Sequence, residues 1–363
     1  MEQMPLTRRS FLGVTSLAST SLMLGNALDA AGPTAAARAQ EADRLIASRV
    51  KSGDIAATAF LMRQGDFEFA RAYGAAKIDT PFLVASLTKP MTVSAVMLLR
   101  DRRQLALTDP VKQFLPQFTG DGRDAITITH LITHTSGLPD MLPENVELRK
   151  RHAPLSEFVE RTCRTALLFQ PGTQVRYQSM GILLAAAIVE KLAAQPLPRF
   201  LASSVFAPLR MTRTSLGLGG RKMADMAQCQ VAEPSDWDWN STYWRNLAVP
   251  WGGAHSTVRD LARFIEAFTV PGSAPWPDNT RRETREIQTG SLRPSYGLGW
   301  MRDPGAFGQG CSPATFGHYG STGTVFWNDP ESHMTCVLLT TKPVENSRAG
   351  VLGPVSDIVS TQG

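Results

Sequence analysis

The chain has 363 residues, 43% of them hydrophobic, and a formal net charge of +5. This length and apolar content suffice for one large globular domain or two interleaved ones, which is the size of an enzyme. The lysines and arginines are scattered and form no basic run interleaved with aromatic residues, so the sequence predicts no nucleic-acid partner.

The N-terminal segment has the pattern of an export signal. Arg8 and Arg9 precede an uncharged stretch, 11–28, that Ser, Thr, Gly and Asn dilute. This combination is typical of twin-arginine export rather than of a membrane-spanning helix. We therefore expect a signal peptide over 1–39, cut after Ala39 or earlier after Ala30, and a periplasmic protein with no membrane anchor after cleavage.

The next part of the chain predicts a helix, a hairpin and a second helix. Apolar residues at helical spacing indicate a helix over 40–51. Two strands follow at 56–63 and 66–73, joined at the turn signal Gln64-Gly65. An apolar segment that opens at Pro90 then predicts a buried helix ending near residue 102.

Helical patterns dominate the middle of the chain. A buried helix is expected over 126–133, and helices again over 154–206, most clearly in the apolar run 180–193. Residues 221–253 are irregular and rich in aromatic side chains. Thr257 then begins a capping pattern for a helix over 261–268.

Strand patterns return near the C-terminus. They lie at 296–301, 314–319, 323–328 and 333–341. Strand-rich ends that flank a helical middle predict an α+β fold, in which an antiparallel sheet is flanked by helices. We expect one domain over 40–363, with a helical insert over roughly 87–215.

One short motif carries the chemistry. Ser86 lies where an extended segment enters a helix, and Lys89 follows three residues later, on the same helix face. A lysine with a lowered pKa can activate a serine hydroxyl as a nucleophile. The pair Ser48 and Lys51 has the same spacing within an ordinary surface helix, so the motif needs support from the rest of the chain.

Two further segments supply that support. Tyr177 ends a turn-rich loop just before the apolar run, and His318 lies in a strand that Gly317 and Gly320 interrupt. A glycine within a strand commonly marks the close approach of another group, here a substrate.

With these three motifs in order, the chain resembles the serine β-lactamase and penicillin-binding-protein superfamily. It is most similar to the class C-like branch, which includes D,D-carboxypeptidases, D-aminopeptidases and family VIII carboxylesterases. The resemblance covers nearly the whole mature chain, with further matching segments at 131–139, 206–209, 252–264 and 296–300. It implies a β-lactamase/transpeptidase-like fold, with the active site where the sheet meets a helical subdomain.

The resemblance also implies a role for each motif residue. Ser86 is the expected acylated nucleophile and Lys89 its proton-transfer partner. Tyr177 is expected to act as general base and then donate to the leaving group, for which a neighbouring ammonium has to lower its pKa. His318 occupies the place of the family's strand lysine. The backbone N–H groups of Ser86 and Ser321 are expected to form the oxyanion hole.

Departures from the family pattern favour an ester substrate. Ser179 replaces the asparagine that contacts the amide of a peptide or β-lactam, and a hydroxyl has fewer donors. His318 replaces a charged lysine that binds a substrate carboxylate, and histidine is largely neutral near pH 7. We expect Ser179, Tyr319 and Gly320 to contact the substrate.

An aromatic loop and the cysteines leave alternatives open. Trp244 and Trp251 lie in a segment that relatives place over the site, where they either form an apolar substrate pocket or pack the loop onto the body. The four cysteines have no metal-ligand spacing, so each is either a disulfide partner or a buried thiol; they are Cys163, Cys229, Cys311 and Cys336. No cofactor or metal is expected.

The leading hypothesis is an exported serine hydrolase that cleaves small carboxylic esters through a Ser86 acyl-enzyme. The alternatives within enzymes are a D,D-peptidase, a D-amino-acid amidase or a β-lactamase. A non-catalytic ligand-binding or sensor protein with this fold is the alternative from another class, although it would need none of Ser86, Lys89 and Tyr177.

Overall fold

The computed structural model describes residues 33–273 and 275–361. The twin-arginine pair and the apolar stretch expected at the N-terminus lie outside these residues. The described part contains eight strands, which in chain order are β1 (Ala57–Gln64), β2 (Phe67–Gly74), β3 (Phe82–Leu83), β4 (Ser215–Leu216), β5 (Ala254–Ser256), β6 (Phe316–Gly320), β7 (Thr324–Asp329) and β8 (Met334–Thr340).

Five strands form the main sheet, in the order β2-β1-β8-β7-β6. Every neighbouring pair in it is antiparallel. The predicted hairpin is confirmed, because Gln64 pairs with Phe67 across a two-residue turn that contains Gly65 with a positive φ of 54°. A small second sheet has the order β3-β5-β4 and lies beside the helical part of the chain.

The rest of the described chain consists of helices, short 3-10 and π turns, and loops. In chain order they are α1 (Ala35–Lys51), α2 (Thr88–Asp101), α3 (Val111–Phe114), α4 (Ile128–Ile132), α5 (Asn145–Lys150), α6 (Leu155–Arg164), α7 (Met180–Ala193), α8 (Leu197–Leu201), α9 (Thr242–Leu247), α10 (Val258–Glu266), α11 (Asp278–Arg285), α12 (Val344–Ser347) and α13 (Gly353–Ser360). Strands at both ends and helices between them give the expected α+β fold.

The main sheet separates two hydrophobic cores. Side chains alternate along β1, so that Ala59 and Leu61 enter one core while Phe60 and Met62 enter the other. Helices α1 and α13 cover the second core, and α10 packs on the opposite face of the sheet. The first core continues into the helical part, where α2 packs against α7. The start of α2 therefore lies between the sheet and the helical layer.

Some expected elements differ in the structure. Residues 296–301 form only isolated bridges, Tyr296 with Met301 and Met301 with Gly317, so the expected strand there is wrong. Helix α10 begins at Val258, directly after its cap Thr257, and not at residue 261. Helices α11 and α13 were not expected, because α11 has no apolar side chain and α13 starts with Gly353-Pro354.

The folded domain begins before the expected boundary at residue 40. Helix α1 starts at Ala35, and Ala39 is fully buried in the second core. The buried Arg38 guanidinium donates to the carbonyl of Val359 at 3.1 Å. A cut after Ala39 would remove these contacts, whereas the alternative cut after Ala30 would leave them intact.

Helix α7 is the apolar run expected over 180–193. In the described residues, no single helix is long and apolar enough to cross a bilayer. The segments Met180–Ala193 and Leu197–Phe206 meet that criterion only as a pair, bent by 77°. Most residues of α7 are buried in the protein core.

All four cysteines are free thiols. Cys163, Cys229 and Cys336 are buried, and Cys311 is partly exposed. Burial raises the pKa of Cys163 to about 11 and the pKa values of Cys229 and Cys311 to about 12. Burial raises the pKa of Cys336 as well. The four cysteines, all of which lie in the described residues, are therefore thiols without a disulfide, and three of them are buried.

Candidate active site

Neighbouring strands hold the nucleophile segment in place. The N–H of Val84 donates to the carbonyl of Ala254 at 2.9 Å, and Thr322 and Thr324 donate to the carbonyls of Leu83 and Val84. The next residue, Ala85, has a φ of 45°, a left-handed conformation that is unfavourable for alanine. This sharp turn leads the chain into the helix and leaves the Ser86 side chain partly exposed.

Lys89 meets Ser86 as the motif predicts. Its Nζ atom lies 3.0 Å from Ser86 Oγ and 3.0 Å from the carbonyl oxygen of Trp251. The side chain is fully buried. Burial lowers the pKa of Lys89 from its ordinary 10.5 to about 7, although the carboxylate of Asp140 acts in the opposite direction. A substantial fraction of Lys89 is therefore a neutral amine at neutral pH.

Tyr177 lies against both residues. Lys89 Nζ is 4.6 Å from the centroid of the Tyr177 ring, and the Tyr177 hydroxyl is hydrogen-bonded to Ser86. Burial nevertheless raises the pKa of Tyr177 well above its ordinary value, outweighing that hydrogen bond. The expected lowering of the Tyr177 pKa is wrong, so the hydroxyl stays protonated and suits a proton donor rather than a base.

His318 completes the cluster. Its ring centroid lies 5.8 Å from that of Tyr177, and the side chain is 1% exposed. Nδ1 is 2.6 Å from the carbonyl oxygen of Tyr319. Because a carbonyl only accepts, we assign the proton to Nδ1, which leaves a lone pair on Nε2. Burial, followed by the charge of Lys89, lowers the pKa of His318 to about 3, so the ring is neutral.

Ser179 does not present a free hydroxyl to the site. Its side chain is 1% exposed and donates to Asp140 Oδ1 at 2.6 Å. The expected direct contact between the Ser179 hydroxyl and a substrate amide therefore has to be corrected. Asp140, which sequence reasoning missed, is exposed at this position and electrostatically couples to Lys89 and Tyr177. The only signal in the sequence was its place directly after the matching segment 131–139.

Tyr319 faces away from the nucleophile. Alternate residues of β6 point to opposite sides of the sheet, so Tyr319 lies on the face opposite His318. Its ring stacks on Phe307 at 5.7 Å and lies beneath the guanidinium of Arg348. Its hydroxyl donates to the carbonyl of Ala306 at 2.8 Å. The expected contact between the Tyr319 side chain and substrate is wrong, because strand alternation places that side chain in the other core.

The close approach at Gly320 is to the protein itself. A Cβ atom on Gly320 would lie 2.4 Å from the carbonyl oxygen of Val84 and 3.3 Å from Ala85 Cβ. The glycine therefore lets β6 pack directly on the segment that ends at Ser86. A contact between the Gly320 backbone and a substrate stays a prediction. Ser321 follows β6, and its carbonyl accepts from the N–H of Val344 at 2.9 Å.

The tryptophan rings belong to the first core. Trp244 and Trp251 are 4% and 3% exposed and lie edge to face at 6.5 Å. Trp251 also packs on Phe158, and the Arg149 guanidinium lies 4.0 Å above Trp244. Of the two alternatives, the structure has the packed loop, and the expected substrate pocket of these rings is wrong. Trp251 contributes to the site through its carbonyl, which accepts from Lys89.

The second serine–lysine pair has no such surroundings. Ser48 lies on the exposed face of α1, where its hydroxyl donates to the carbonyl of Leu45 at 2.7 Å. Lys51 is exposed at the end of the same helix. The spacing alone therefore does not make a site, and burial distinguishes Lys89 from Lys51.

His134 is a buried neighbour that the sequence did not identify. Its ring lies 4.9 Å from Tyr177 and 4.6 Å from Tyr296, measured between centroids. The structure places this histidine in direct contact with a residue of the candidate site.

Comparisons with known proteins agree with this arrangement. A sequence model of the family described as Beta-lactamase matches residues 42–357. An inferred D-alanyl-D-alanine carboxypeptidase of Escherichia coli (strain K12) is 26% identical over 358 residues, covering 84% of this chain and 82% of the relative. Esterase EstB of Burkholderia gladioli is 28% identical over 364 residues, covering 83% of this chain and 88% of the relative.

A solved structure has the same fold. EstCE1, described as a hydrolase with promiscuous acyltransferase activity, superposes with a TM-score of 0.74 at 21% identity, covering 90% of this chain and 98% of that one. The family match extends over most of the chain and includes the three motifs. The chain belongs to the beta-lactamase family and is a serine hydrolase.

Proposed function

We propose that this protein is an exported carboxylesterase that cleaves small, uncharged esters through an acyl-enzyme on Ser86. The observation that carries the ester preference is the state of His318. At the place where the family has a lysine, this chain has a neutral, buried ring, and the polar atom of that ring left without a partner among the described residues is Nε2, with its lone pair. A lone pair attracts a hydrogen-bond donor and repels a carboxylate, so it favours uncharged substrates over penicillins and C-terminal peptides.

Asp140 also disfavours a substrate that carries a carboxylate. Its carboxylate is exposed, and within the described ranges no lysine, arginine or histidine forms an ion pair with it. Its charge raises the pKa of Lys89, whose Nζ atom already donates to Ser86 Oγ and to the Trp251 carbonyl. The surroundings of Ser86 therefore add negative charge where a carboxylate substrate would need positive charge.

The proposed reaction uses the three residues in sequence. The neutral amine of Lys89 takes the Ser86 proton as Oγ attacks the ester carbonyl carbon. Backbone N–H groups of Ser86 and Ser321 stabilise the oxyanion. When the carbon–oxygen bond breaks, Tyr177 gives its proton to the departing alkoxide and recovers one from the Lys89 ammonium. Water then hydrolyses the acyl-enzyme by the reverse proton path.

A D,D-peptidase or amidase is the second candidate. The observation that favours it is the relative of Escherichia coli, whose description names a D-alanyl-D-alanine carboxypeptidase and whose identity is close to that of EstB. The two candidates use the same nucleophile and differ in the group that binds next to His318.

The test is a comparison of kcat/KM among p-nitrophenyl butyrate, a D-alanyl-D-alanine peptide and nitrocefin. We expect the ester to be turned over at least about a hundredfold faster, since each unfavourable charge contact is worth roughly a factor of ten. Ser86→Ala should abolish turnover of all three and labelling by a serine-directed phosphonate. A peptide or β-lactam that is cleaved faster than every ester tested would replace this proposal with the second candidate.

We also propose export by the twin-arginine route, on the basis of Arg8 and Arg9 and the diluted apolar stretch after them. Because α1 begins at Ala35, we place the cleavage before that residue and favour the cut after Ala30.

A further inference from the structure

His134 holds the peptide units on both sides of Tyr177. Its carbonyl accepts from the N–H of Arg176 at 2.9 Å, one residue before the tyrosine. Its Nδ1 accepts from the N–H of Gln178 at 3.3 Å, one residue after it. A single residue therefore fixes the backbone at 176 and 178, and its ring packs on the residue between them.

The neighbours of His134 reinforce this hold. Ser136 donates to Gln178 Oε1 at 2.7 Å, and Gln178 in turn donates to the carbonyl of His130. The N–H of Gly172 donates to the carbonyl of Thr135. The loop after α4 is thus bonded along the loop that ends at Tyr177, and His134 is the part of it that contacts the tyrosine ring.

His134 has an unusual conformation where it contacts Tyr177. Its side chain is fully buried and its φ is 62°, in the left-handed region that non-glycine residues seldom adopt. Since a backbone N–H donates to Nδ1, we assign the ring proton to Nε2, an atom with no hydrogen-bond partner in the described residues. An unfavourable backbone and an unsatisfied ring atom are costs that a purely structural loop residue avoids.

We propose that His134 is a positioning residue for catalysis, which holds the Tyr177 hydroxyl where it delivers a proton to the leaving group. This inference rests on the proposed function, because it needs Tyr177 to be the proton donor. It goes beyond it by assigning a residue that contacts no substrate to one step of the reaction. The step is the cleavage of the carbon–oxygen bond, since attack by Ser86 depends on Lys89.

The consequence is a dependence on the leaving group. An alkoxide leaves only with a proton, whereas a nitrophenolate leaves without one. Misplacing the Tyr177 hydroxyl should therefore slow alkyl esters and spare activated aryl esters. A general loss of folding or packing would lower both rates together, so the ratio of the two rates separates positioning from stability.

The experiment measures kcat/KM for ethyl butyrate and p-nitrophenyl butyrate in a set of variants. His134→Phe keeps a ring and removes the Nδ1 acceptor, whereas His134→Asn keeps an acceptor and tolerates the positive φ. The matched control is His255→Phe. His255 is also buried and neutral, contacts a backbone carbonyl through Nδ1 and has an unpartnered Nε2, but its contacts are with Gly217.

We expect His134→Phe to lower the alkyl-to-aryl ratio by about tenfold or more, within the range of general-acid effects. His134→Asn should keep the ratio within about threefold of the wild type, and His255→Phe should leave it unchanged. In a Tyr177→Phe background, His134→Phe should change the ratio by less than about twofold, because the hydroxyl that it positions is already absent.

Equal slowing of both esters by His134→Phe, or an undiminished effect in the Tyr177→Phe background, would overturn the inference. Failure of the proposed function is recognised separately. In that case Tyr177→Phe alone leaves the ratio unchanged, or Ser86→Ala retains turnover. If His134→Phe does not fold, the ratio in His134→Asn against His134→Gly gives the same comparison, because both tolerate the positive φ and only Asn keeps an acceptor.

Discussion

Gly320 lies so close to Val84 that a Cβ atom on the glycine would be 2.4 Å from the carbonyl oxygen of Val84. Through this contact β6, which carries His318, packs directly on the segment that carries Ser86. The same Cβ would lie 2.2 Å from Thr324 Oγ1, so this close approach of the sheet to the nucleophile segment requires a glycine.

Gly320→Ala should push these two segments apart. We expect a loss of roughly 1–3 kcal/mol in the free energy of unfolding, as for other overpacked sites, and a fall in kcat/KM of at least about tenfold. Gly252→Ala is the matched control, since its added Cβ would lie 3.7 Å from Ala85, an ordinary contact. Urea unfolding and ester kinetics are measured for both variants. Wild-type behaviour of Gly320→Ala would show that the sheet tolerates a shift.

Activity should follow the titration of Lys89. Only the neutral amine accepts the Ser86 proton, and burial lowers the pKa of Lys89 to about 7. We therefore expect log kcat/KM for an ester to rise with pH below about 7 and to level off above it. His318, with a pKa of about 3, should add no step between pH 5 and 8. A rising limb near pH 10 would contradict the lowered pKa, and Lys89→Met should remove the limb together with the activity.

Restoring the family's groups should alter substrate choice. His318→Lys adds a cation, and Ser179→Asn adds an amide in place of the hydroxyl that donates to Asp140. We expect the double variant to raise the ratio of β-lactam acylation to ester hydrolysis about tenfold, which corresponds to roughly 1.4 kcal/mol. The two kcat/KM values are measured with nitrocefin and p-nitrophenyl butyrate. A ratio that does not move would mean that other residues decide the preference.

Export should depend on the arginine pair. In the double variant Arg8→Lys with Arg9→Lys, we expect unprocessed precursor to accumulate in the cytoplasm, because the twin-arginine route requires both guanidinium groups. Cell fractionation and immunoblotting check this, with Arg44→Lys as a control on an exposed position of α1. Normal processing of the double variant would disprove the proposed route.

The mature protein should retain Arg38. Its buried guanidinium donates to the carbonyl of Val359, joining α1 to α13. Arg38→Ala should lower the free energy of unfolding by about 1–3 kcal/mol, the usual range for a buried group left unpaired. N-terminal sequencing of exported protein should find a start before Ala35. A start at Gln40 with undiminished stability would restore the later cleavage site.

Much of the fold follows from local patterns. The hairpin of β1 and β2, the strands β6 to β8 and the apolar helix α7 were predictable because each has a strong period or turn signal. Helix α13 was not, because a helix that starts Gly353-Pro354 owes its stability to packing on α1 rather than to its own sequence. The segment 296–301 has a strand-like sequence, but it forms only two isolated bridges.

The candidate site, like the fold, could be predicted from the sequence only in part. Ser86 and Lys89 were predictable because three residues of helix bring them together. The environment was not: the direction of the Tyr177 pKa shift and the fall of the His318 pKa to about 3 depend on burial by distant segments. His134 and Asp140 join the site through contacts with residues 177–179, some 40 positions along the chain, which no local spacing reveals.

The raised pKa values of the four native thiols make them poor nucleophiles, since only the thiolate reacts rapidly. A cysteine placed at position 86 would instead lie beside an amine that takes its proton. Ser86→Cys should thus give a protein with one fast-reacting sulfur at the mouth of the site. An environment-sensitive fluorophore attached there would report substrate entry without any need to remove the other cysteines.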